Sequence, residues 1–399
     1  MSTEETQTTD THSEFVAMAG DLRSRPKWLL EMVERGDVEG LVKTLRGPYP
    51  EFAADAAWGL GSLGKPESVP HLVEALEHAD GAVRRSAAEA LGVLGDLRAA
   101  PHLRKLLKDE DSDVRGIAVW ALGGVADPEC VQGLVSLLGD GELFTDGLGE
   151  KELIGWQAAH TLSMFGDLSF PHLVKATEKK DPMVRRNAAM ALGYMGLEEA
   201  VPPLVDLLAD KNVEVRRAAL NALGDLGHPV EVEAVHPLLN DPSEEVRWSA
   251  VLLLGNLEDE TVNDSLLEAL DDESSEVVSL AAGALAARTA KEAVPVLMEL
   301  LGAGGKKAAA AARAMGALSA AQSIPRLLEM LGTGSNEERA AAAAALGQLK
   351  AREAVDVLKQ HLMDPSPSVR GEVLGALRAI TGLTFGEDKT GDTRPISKK

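Results

Sequence analysis

The chain contains little cysteine, few aromatic residues and no long apolar runs. Its 399 residues include one cysteine, Cys130, which excludes an intramolecular disulfide and a cysteine-based zinc or iron–sulfur site. Aromatic residues make up 3% of the chain, which suits thin layers of closely packed helices. No uncharged run reaches the ~18 apolar residues of a membrane span, and the N-terminal MSTEETQTTD is not signal-like. We therefore expect a cytoplasmic protein without membrane insertion.

Basic residues are also scarce relative to acidic ones. Forty Lys and Arg stand against 63 Asp and Glu, for a net charge of −23. Nucleic-acid binding depends largely on clustered Lys and Arg, so a nucleic-acid partner is not expected. A strongly acidic surface instead steers the protein toward basic patches on other molecules.

One stretch of sequence recurs along almost the whole chain. It reads AVRRSAAEALGVLG from Ala82 to Gly95, and the leucine of its Leu-Gly pair serves as an anchor for alignment. The anchors are spaced by 30 or 31 residues, except for one step of 40. Such a period indicates a solenoid of stacked helix pairs, which bury their apolar faces only against neighbouring pairs. The eleven anchors are Leu60, Leu91, Leu122, Leu162, Leu192, Leu223, Leu254, Leu285, Met315, Leu346 and Leu377.

Each repeat predicts two helices and the loop between them. The first helix carries a proline in its first turn, where the missing N–H does no harm. The loop carries aspartate, and the second helix ends at glycine. An alanine stands four residues before nearly every anchor and a glycine usually follows it. Because glycine inside a helix costs about 1 kcal/mol relative to alanine, this glycine predicts close backbone approach between stacked second helices.

The repeats also define the domain boundaries. We expect a disordered acidic tail at residues 1–12, two capping helices at residues 13–36, the solenoid at residues 37–381 and a flexible C-terminal tail at residues 382–399. The step of 40 residues places an insertion at 139–152, GDGELFTDGLGEKE, between the two helices of the fourth pair.

The strings Asp-x-x-Val-Arg and Ala-Ala-x-Ala-Leu-Gly, as at Asp80 to Arg84 and Asp181 to Arg185, resemble the HEAT-repeat family. The similarity is closest to its short-repeat branch, named after phycobilisome lyases. The resemblance implies an all-α, right-handed α-solenoid, an armadillo-like superhelix of about eleven helix pairs. It also implies protein–protein interaction, or alternatively a phycobilin-lyase-like role in handling tetrapyrroles. Similar acidic proteins occur in salt-loving archaea, where some connect the chemotaxis response regulator to the motor.

No residue pattern indicates catalysis, a metal or a cofactor. The arginine column that includes Arg84, Arg115 and Arg185 is interpreted as structural, with each arginine pairing in its own loop or in the loop of the adjacent repeat. His71 and His102 occupy equivalent positions in stacked helices, which lie about 8–10 Å apart and cannot share a zinc ion. We expect a non-catalytic, monomeric adaptor.

Three variable columns on the second helices predict a partner-binding surface. They lie six and two residues before the anchor and two after it, and so share one helix face, which lines the concave groove of such a solenoid. Trp, Tyr, Met and Arg are enriched at protein interfaces, although aromatic side chains could instead pack inside the superhelix. The predicted contacts are Trp58, Trp120, Trp156, His160, Met164, Arg186, Met190, Tyr194, Arg217, Trp248 and Leu252.

The insertion carries three large apolar residues among acids, namely Leu143, Phe144 and Leu148. Insertions in repeat proteins often lie on the binding face, so we expect these residues to contact a partner. The alternative is that the insertion folds back over an adjacent helix.

Overall fold

The computed structural model describes residues 25–147, 149–387 and 393–396. The predicted acidic tail, the capping helix predicted after Ser13, and Leu148 lie outside the described residues.

The described chain is an all-α solenoid of eleven helix pairs, as predicted. Helix α1 (Lys27–Arg35) precedes the pairs and ends at Gly36, which has a φ of 64°. The first helices of the pairs are α2 (Val38–Leu45), α4 (Val69–Ala75), α6 (Ala100–Leu106), α8 (Val131–Leu137), α10 (Phe170–Ala176), α12 (Val201–Leu207), α14 (Val232–Val235), α16 (Val262–Glu268), α18 (Val294–Leu300), α20 (Ile324–Thr333) and α22 (Val355–Gln360). The second helices are α3 (Pro50–Ser62), α5 (Gly81–Leu94), α7 (Ser112–Val125), α9 (Ile154–Ser163), α11 (Pro182–Tyr194), α13 (Val213–Leu226), α15 (Glu244–Asn256), α17 (Ser275–Ala287), α19 (Gly305–Ala317), α21 (Asn336–Gln348) and α23 (Pro367–Thr381).

Local sequence sets where the second helices begin and end. The carboxylates of Asp80, Asp111 and Asp181 cap α5, α7 and α11 by accepting a hydrogen bond from the backbone N–H two residues on, at 2.8–2.9 Å. Glycine follows several of these helices in the left-handed region, as at Gly95 and Gly227. The helix boundaries predicted from aspartate and glycine are therefore confirmed.

The second helices stack through very small residues. A Cβ built on Gly92 would lie 2.7 Å from the Cα of Ala121, and one on Gly347 would lie 2.7 Å from the Cα of Ala376. Real Cβ atoms do not approach a backbone atom so closely, so only glycine fits at these contacts. This confirms that the recurring glycine permits close backbone approach.

A ladder of arginines joins successive repeats, which confirms the structural interpretation of the arginine column. The guanidinium of Arg185 donates to both carboxylate oxygens of Asp210 in the next loop, at 2.6 and 2.8 Å, and to the carbonyls of Lys179 and Lys180 in its own. Equivalent pairs are Arg84–Asp109, Arg115–Asp140, Arg247–Asp272 and Arg339–Asp364.

The loop aspartates occupy two positions with different roles. One accepts hydrogen bonds from the arginine of the preceding repeat, and the other, two residues later, caps the second helix; the sequence pattern does not distinguish them. Asp210 accepts from the arginine of the preceding repeat, and Asn212, two residues later, caps the helix. In the third pair both positions are aspartate, with Asp109 binding Arg84 and Asp111 capping α7.

The helix pairs fall into two compact units that divide after His228. The first unit ends with α13. In the second unit, the first helix is only the four residues of α14, followed by a 3₁₀ segment at His236–Asn240 that contains Pro237.

The described residues also include two short antiparallel hairpins, one between the helices of the fourth pair and one after α23. Strand β1 (Leu143–Thr145) pairs with β2 (Lys151–Leu153) inside the insertion of the fourth pair. Strand β3 (Thr384–Glu387) pairs with β4 (Thr393–Ile396), so part of the tail predicted to be flexible is a hairpin. Backbone hydrogen bonds between the two strands hold this hairpin together, and such bonds leave no hydrophobic pattern in the sequence.

Candidate functional site

A pocket of about 370 Å³ opens on the second helices of pairs four, five and six. Five of the residues predicted to contact a partner meet there, and all of them lie in the first unit. The floor is formed by Ala218 and Ala222, which are nearly buried and leave space above α13. The predicted residues are Trp156 from α9, Arg186, Met190 and Tyr194 from α11, and Arg217 from α13.

Trp156 and Tyr194 line the pocket, and the ring of His160, outside the lining, contacts both of them. The rings of Trp156 and His160 stack with their centroids 6.1 Å apart and their planes 15° from parallel. The ring of Tyr194 meets His160 edge to face, at 6.2 Å. Tyr194 is 44% exposed and Met164, just beyond the pocket, is 64% exposed. These side chains present apolar surface that no described residue covers.

Two arginines line the pocket, one paired with a carboxylate and the other with a neutral amide. The guanidinium of Arg217 forms an ion pair with the carboxylate of Glu214 at 2.5 Å. That of Arg186 donates from Nε and Nη2 to Oδ1 of Asn187, at 3.1 and 3.0 Å. The pocket therefore combines an apolar wall with charged groups, the composition of a binding site for part of another molecule.

Sequence reasoning missed two polar residues at this site. Asn187 is completely buried, and its Nδ2 donates to the carbonyl of Leu138 at 2.7 Å. Glu214 lies in the first turn of α13, outside the three predicted columns. Asn187 could have been noticed, because it is the only asparagine five residues before any anchor.

Of the two predicted contacts in the earlier repeats, Trp58 is covered by the protein itself and Trp120 is partly covered. Trp58 is only 4% exposed, and the guanidinium of Arg25 lies 4.7 Å above its ring and binds Asp55 at 3.1 Å. The prediction that Trp58 is an exposed partner contact is therefore wrong. Trp120 is half-buried, with its ring against Gly92, where an added Cβ would lie 2.8 Å from Cζ3.

Trp248 and Leu252 belong to the second unit. They are one helical turn apart on α15 and are each 39% exposed. They form a small apolar patch that remains a predicted contact surface.

The insertion folds back on the solenoid, which was the alternative to a free partner-binding loop. Phe144 is 2% exposed and fills a notch at Gly116, where an added Cβ would lie 2.0 Å from the ring. Arg85 donates to the carbonyls of Thr145 and Asp146, both at 3.1 Å. Phe144 is thus a core residue rather than a partner contact, while Leu143 remains 50% exposed.

Burial raises the pKa of several groups in this unit, Glu152 among them. It raises the pKa of Glu89, against the opposing charges of Arg85 and Arg25, and it raises that of the Cys130 thiol to about 12. Cys130 is completely buried, and a raised pKa disfavours the reactive thiolate form.

The described part of the chain contains no group of three or more His, Cys, Asp or Glu arranged to hold a metal. None of its helices is long and apolar enough to span a bilayer.

Solved structures with the same fold belong to much longer proteins. Kap121p matches 92% of this chain with 47% of its own, at 15% identity and a TM-score of 0.63. Importin beta matches 94% of this chain with 59% of its own, at 16% identity and a TM-score of 0.60. The chain thus spans about half the length of these proteins, and the likeness concerns the fold. No curated protein matches the chain by sequence.

Family models agree with the repeats derived above. The model for HEAT repeats matches residues 38–123, 170–239, 232–307 and 305–378, and that for the PBS lyase HEAT-like repeat matches residues 114–140. The first model leaves out the region of the insertion, where the 31-residue period is broken. With helix pairs, arginine ladder and glycine contacts recurring at that period, the chain belongs to the HEAT-repeat family.

Proposed function

We propose that this protein is a non-catalytic adaptor that binds a protein or peptide partner on the second-helix face of pairs four to six. The observation that carries the proposal is the pocket at which Trp156, Arg186, Met190, Tyr194 and Arg217 converge. These residue types dominate the energy of protein interfaces, and here they remain accessible beside a floor of alanine.

Proteins of the same fold support this proposal. Kap121p has been solved bound to Ste12p and, separately, bound to Pho4p. Solenoids offer long surfaces of this kind because each repeat adds one more helix to the same face. We extend the proposal to Trp248 and Leu252, which provide a second contact surface on the other unit.

The two tyrosines of the chain provide a matched test. Peptides would be selected against the wild-type protein from a random display library, and their affinities measured by fluorescence anisotropy. Tyr194→Ala, in the pocket, is expected to weaken binding roughly 30-fold, because truncating an interface hot spot costs about 2 kcal/mol. Tyr49→Ala removes a tyrosine that is even more exposed, at 58%, and lies far from α11 in sequence, so it should leave binding unchanged. Equal affinities for the wild type and Tyr194→Ala would refute the proposal.

The finer role rests on the family resemblance alone. We propose the chemotaxis response regulator of a salt-loving archaeon as the first natural partner to test, with the adaptor acting as a cytoplasmic monomer. Co-purification that is lost in Trp156→Ala but kept in Tyr49→Ala would support this role. A tetrapyrrole-handling protein would instead bind a bilin and absorb visible light after purification.

A further inference from the structure

The pocket contains an arginine whose charge is balanced by no carboxylate among the described residues. Arg186 donates only to the neutral amide oxygen of Asn187. In contrast, Arg185 of the same helix binds Asp210, and Arg217 across the pocket binds Glu214. Arg186 is half-buried, so part of its hydration is already lost before any ligand arrives.

A buried amide holds this guanidinium in place. Asn187 is completely buried, and because its Nδ2 donates to the carbonyl of Leu138, its Oδ1 must face Arg186. Gly155 makes room for that bridge, since a Cβ there would lie 2.7 Å from both Nδ2 of Asn187 and the Leu138 oxygen. The orientation of Arg186 is therefore fixed by core packing rather than by a surface partner.

The remaining donors of Arg186 suit a carboxylate. Asn187 occupies Nε and one hydrogen of Nη2, which leaves two hydrogens on Nη1 and one on Nη2 without an acceptor among the described residues. These two nitrogens form the end of the guanidinium, a geometry that can bind both oxygens of one carboxylate.

The acidic groups of the pocket do not occupy this position. Glu214 is already paired with Arg217, as described above. Asp225 also lines the pocket, but among the described residues Arg186 donates only to Asn187. Beside Arg186 the pocket offers apolar surface from Trp156, Met190 and Tyr194.

We infer that the pocket recognises a peptide carboxylate followed or preceded by an apolar residue. The carboxylate accepts from Nη1 and Nη2 of Arg186, and the apolar side chain lies against Trp156, Met190 and Tyr194. This inference rests on the proposed function and adds a ligand chemistry to it. That chemistry is opposite to the one suggested by the net charge of −23, because a local, fixed cation decides recognition at short range.

The test compares peptides that differ only in the charged group. The probes are acetyl-Gly-Leu-Asp-Leu-Gly-amide, the same peptide with Asn in place of Asp, and acetyl-Gly-Asn-Leu with either a free or an amidated C-terminus. The last two distinguish a chain terminus from an acidic side chain as the source of the carboxylate. Binding is followed by NMR of ¹³C-methyl methionine, with the Met190 resonance assigned from Met190→Leu.

At least one carboxylate probe is expected to shift the Met190 methyl saturably, with roughly tenfold higher affinity than its neutral analogue. Arg186→Gln should make the two affinities equal. Arg313→Gln removes an exposed arginine of the second unit and should preserve the difference. Circular dichroism of both variants confirms that they are folded.

Two results would overturn the inference. Equal affinities of charged and neutral probes in the wild type would refute the carboxylate subsite while leaving peptide binding intact. A Met190 methyl that responds to none of the probes at millimolar concentration would also refute it, and the display selection above would still decide the proposed function independently.

Discussion

Gly347 lies at a close contact between two stacked helices of the second unit, α21 and α23. A Cβ added there would lie 2.7 Å from the Cα and 2.9 Å from the Cβ of Ala376. Gly283, on α17 of the same unit, has nothing within 4 Å of such a Cβ. Replacing each glycine with alanine therefore adds the same methyl group to a crowded and to an open helix surface.

The two substitutions should change the free energy of unfolding differently. Alanine favours a helix over glycine by about 1 kcal/mol, so Gly283→Ala should raise the free energy of unfolding by about that amount. Gly347→Ala gains the same propensity but overpacks the contact with Ala376, at a cost of about 1–3 kcal/mol. The difference between the two variants should therefore be about 1–3 kcal/mol in favour of Gly283→Ala.

Urea unfolding followed by circular dichroism measures both free energies. With both positions in one compact unit, the two variants report on the same part of the chain. If Gly347→Ala stabilised the protein as much as Gly283→Ala does, the recurring glycine would not be required for close approach, and the packing argument would be wrong.

Two further predictions concern the hairpin and the arginine ladder. Phe144→Ala removes the side chain that packs at Gly116. We expect this to lower the free energy of opening the β1–β2 hairpin by about 3–5 kcal/mol, as measured by hydrogen exchange of the hairpin amides. Hydrogen bonds from Arg339 outweigh burial and hold the pKa of Asp364 below its usual range, so Asp364→Asn should destabilise the protein at pH 7 by about 3 kcal/mol. Because the folded-state pKa is the lower one, this loss should shrink as the pH falls below about 4, the pKa of an unfolded aspartate, in urea titrations at several pH values.

Neighbouring side chains serve as controls for these changes. Leu143→Ala truncates the half-exposed neighbour of Phe144 and should change hairpin exchange little, so equal effects of the two variants would contradict the notch. Asp356 pairs with Lys359 at an exposed site, and Asp356→Asn should have little effect at any pH. A loss in Asp364→Asn that stayed constant down to pH 2 would contradict the ionic account.

The sequence predicts the repeated architecture well because its signals are local and occur many times. Asp111 caps a helix, Gly95 ends one and Gly92 packs against the next, and each role follows from the residue type and its position in the period. The exposed tyrosine at the pocket was likewise found because Tyr194 occupies a variable column on one helix face.

Features that join distant parts of the chain could not be predicted in this way. Trp58 shares its column with Met190, which lines the pocket, yet Arg25 covers Trp58 from a segment outside the repeats. The sequence places Phe144 in an acidic loop, whereas in the structure its ring packs against Gly116. The orientation of Arg186 depends on a carbonyl at Leu138, 49 residues from the amide that it fixes.

Ala222 belongs to two surfaces at once. It closes the bottom of the pocket, and it is also the residue that Gly193 of α11 touches, since a Cβ on Gly193 would lie 2.8 Å from its Cα. Any larger residue at position 222 would make the recess shallower and also separate α11 from α13. New ligand preferences can therefore arise through the side chains of the wall, such as Met190, whereas the depth of the recess is fixed by the spacing of the repeats.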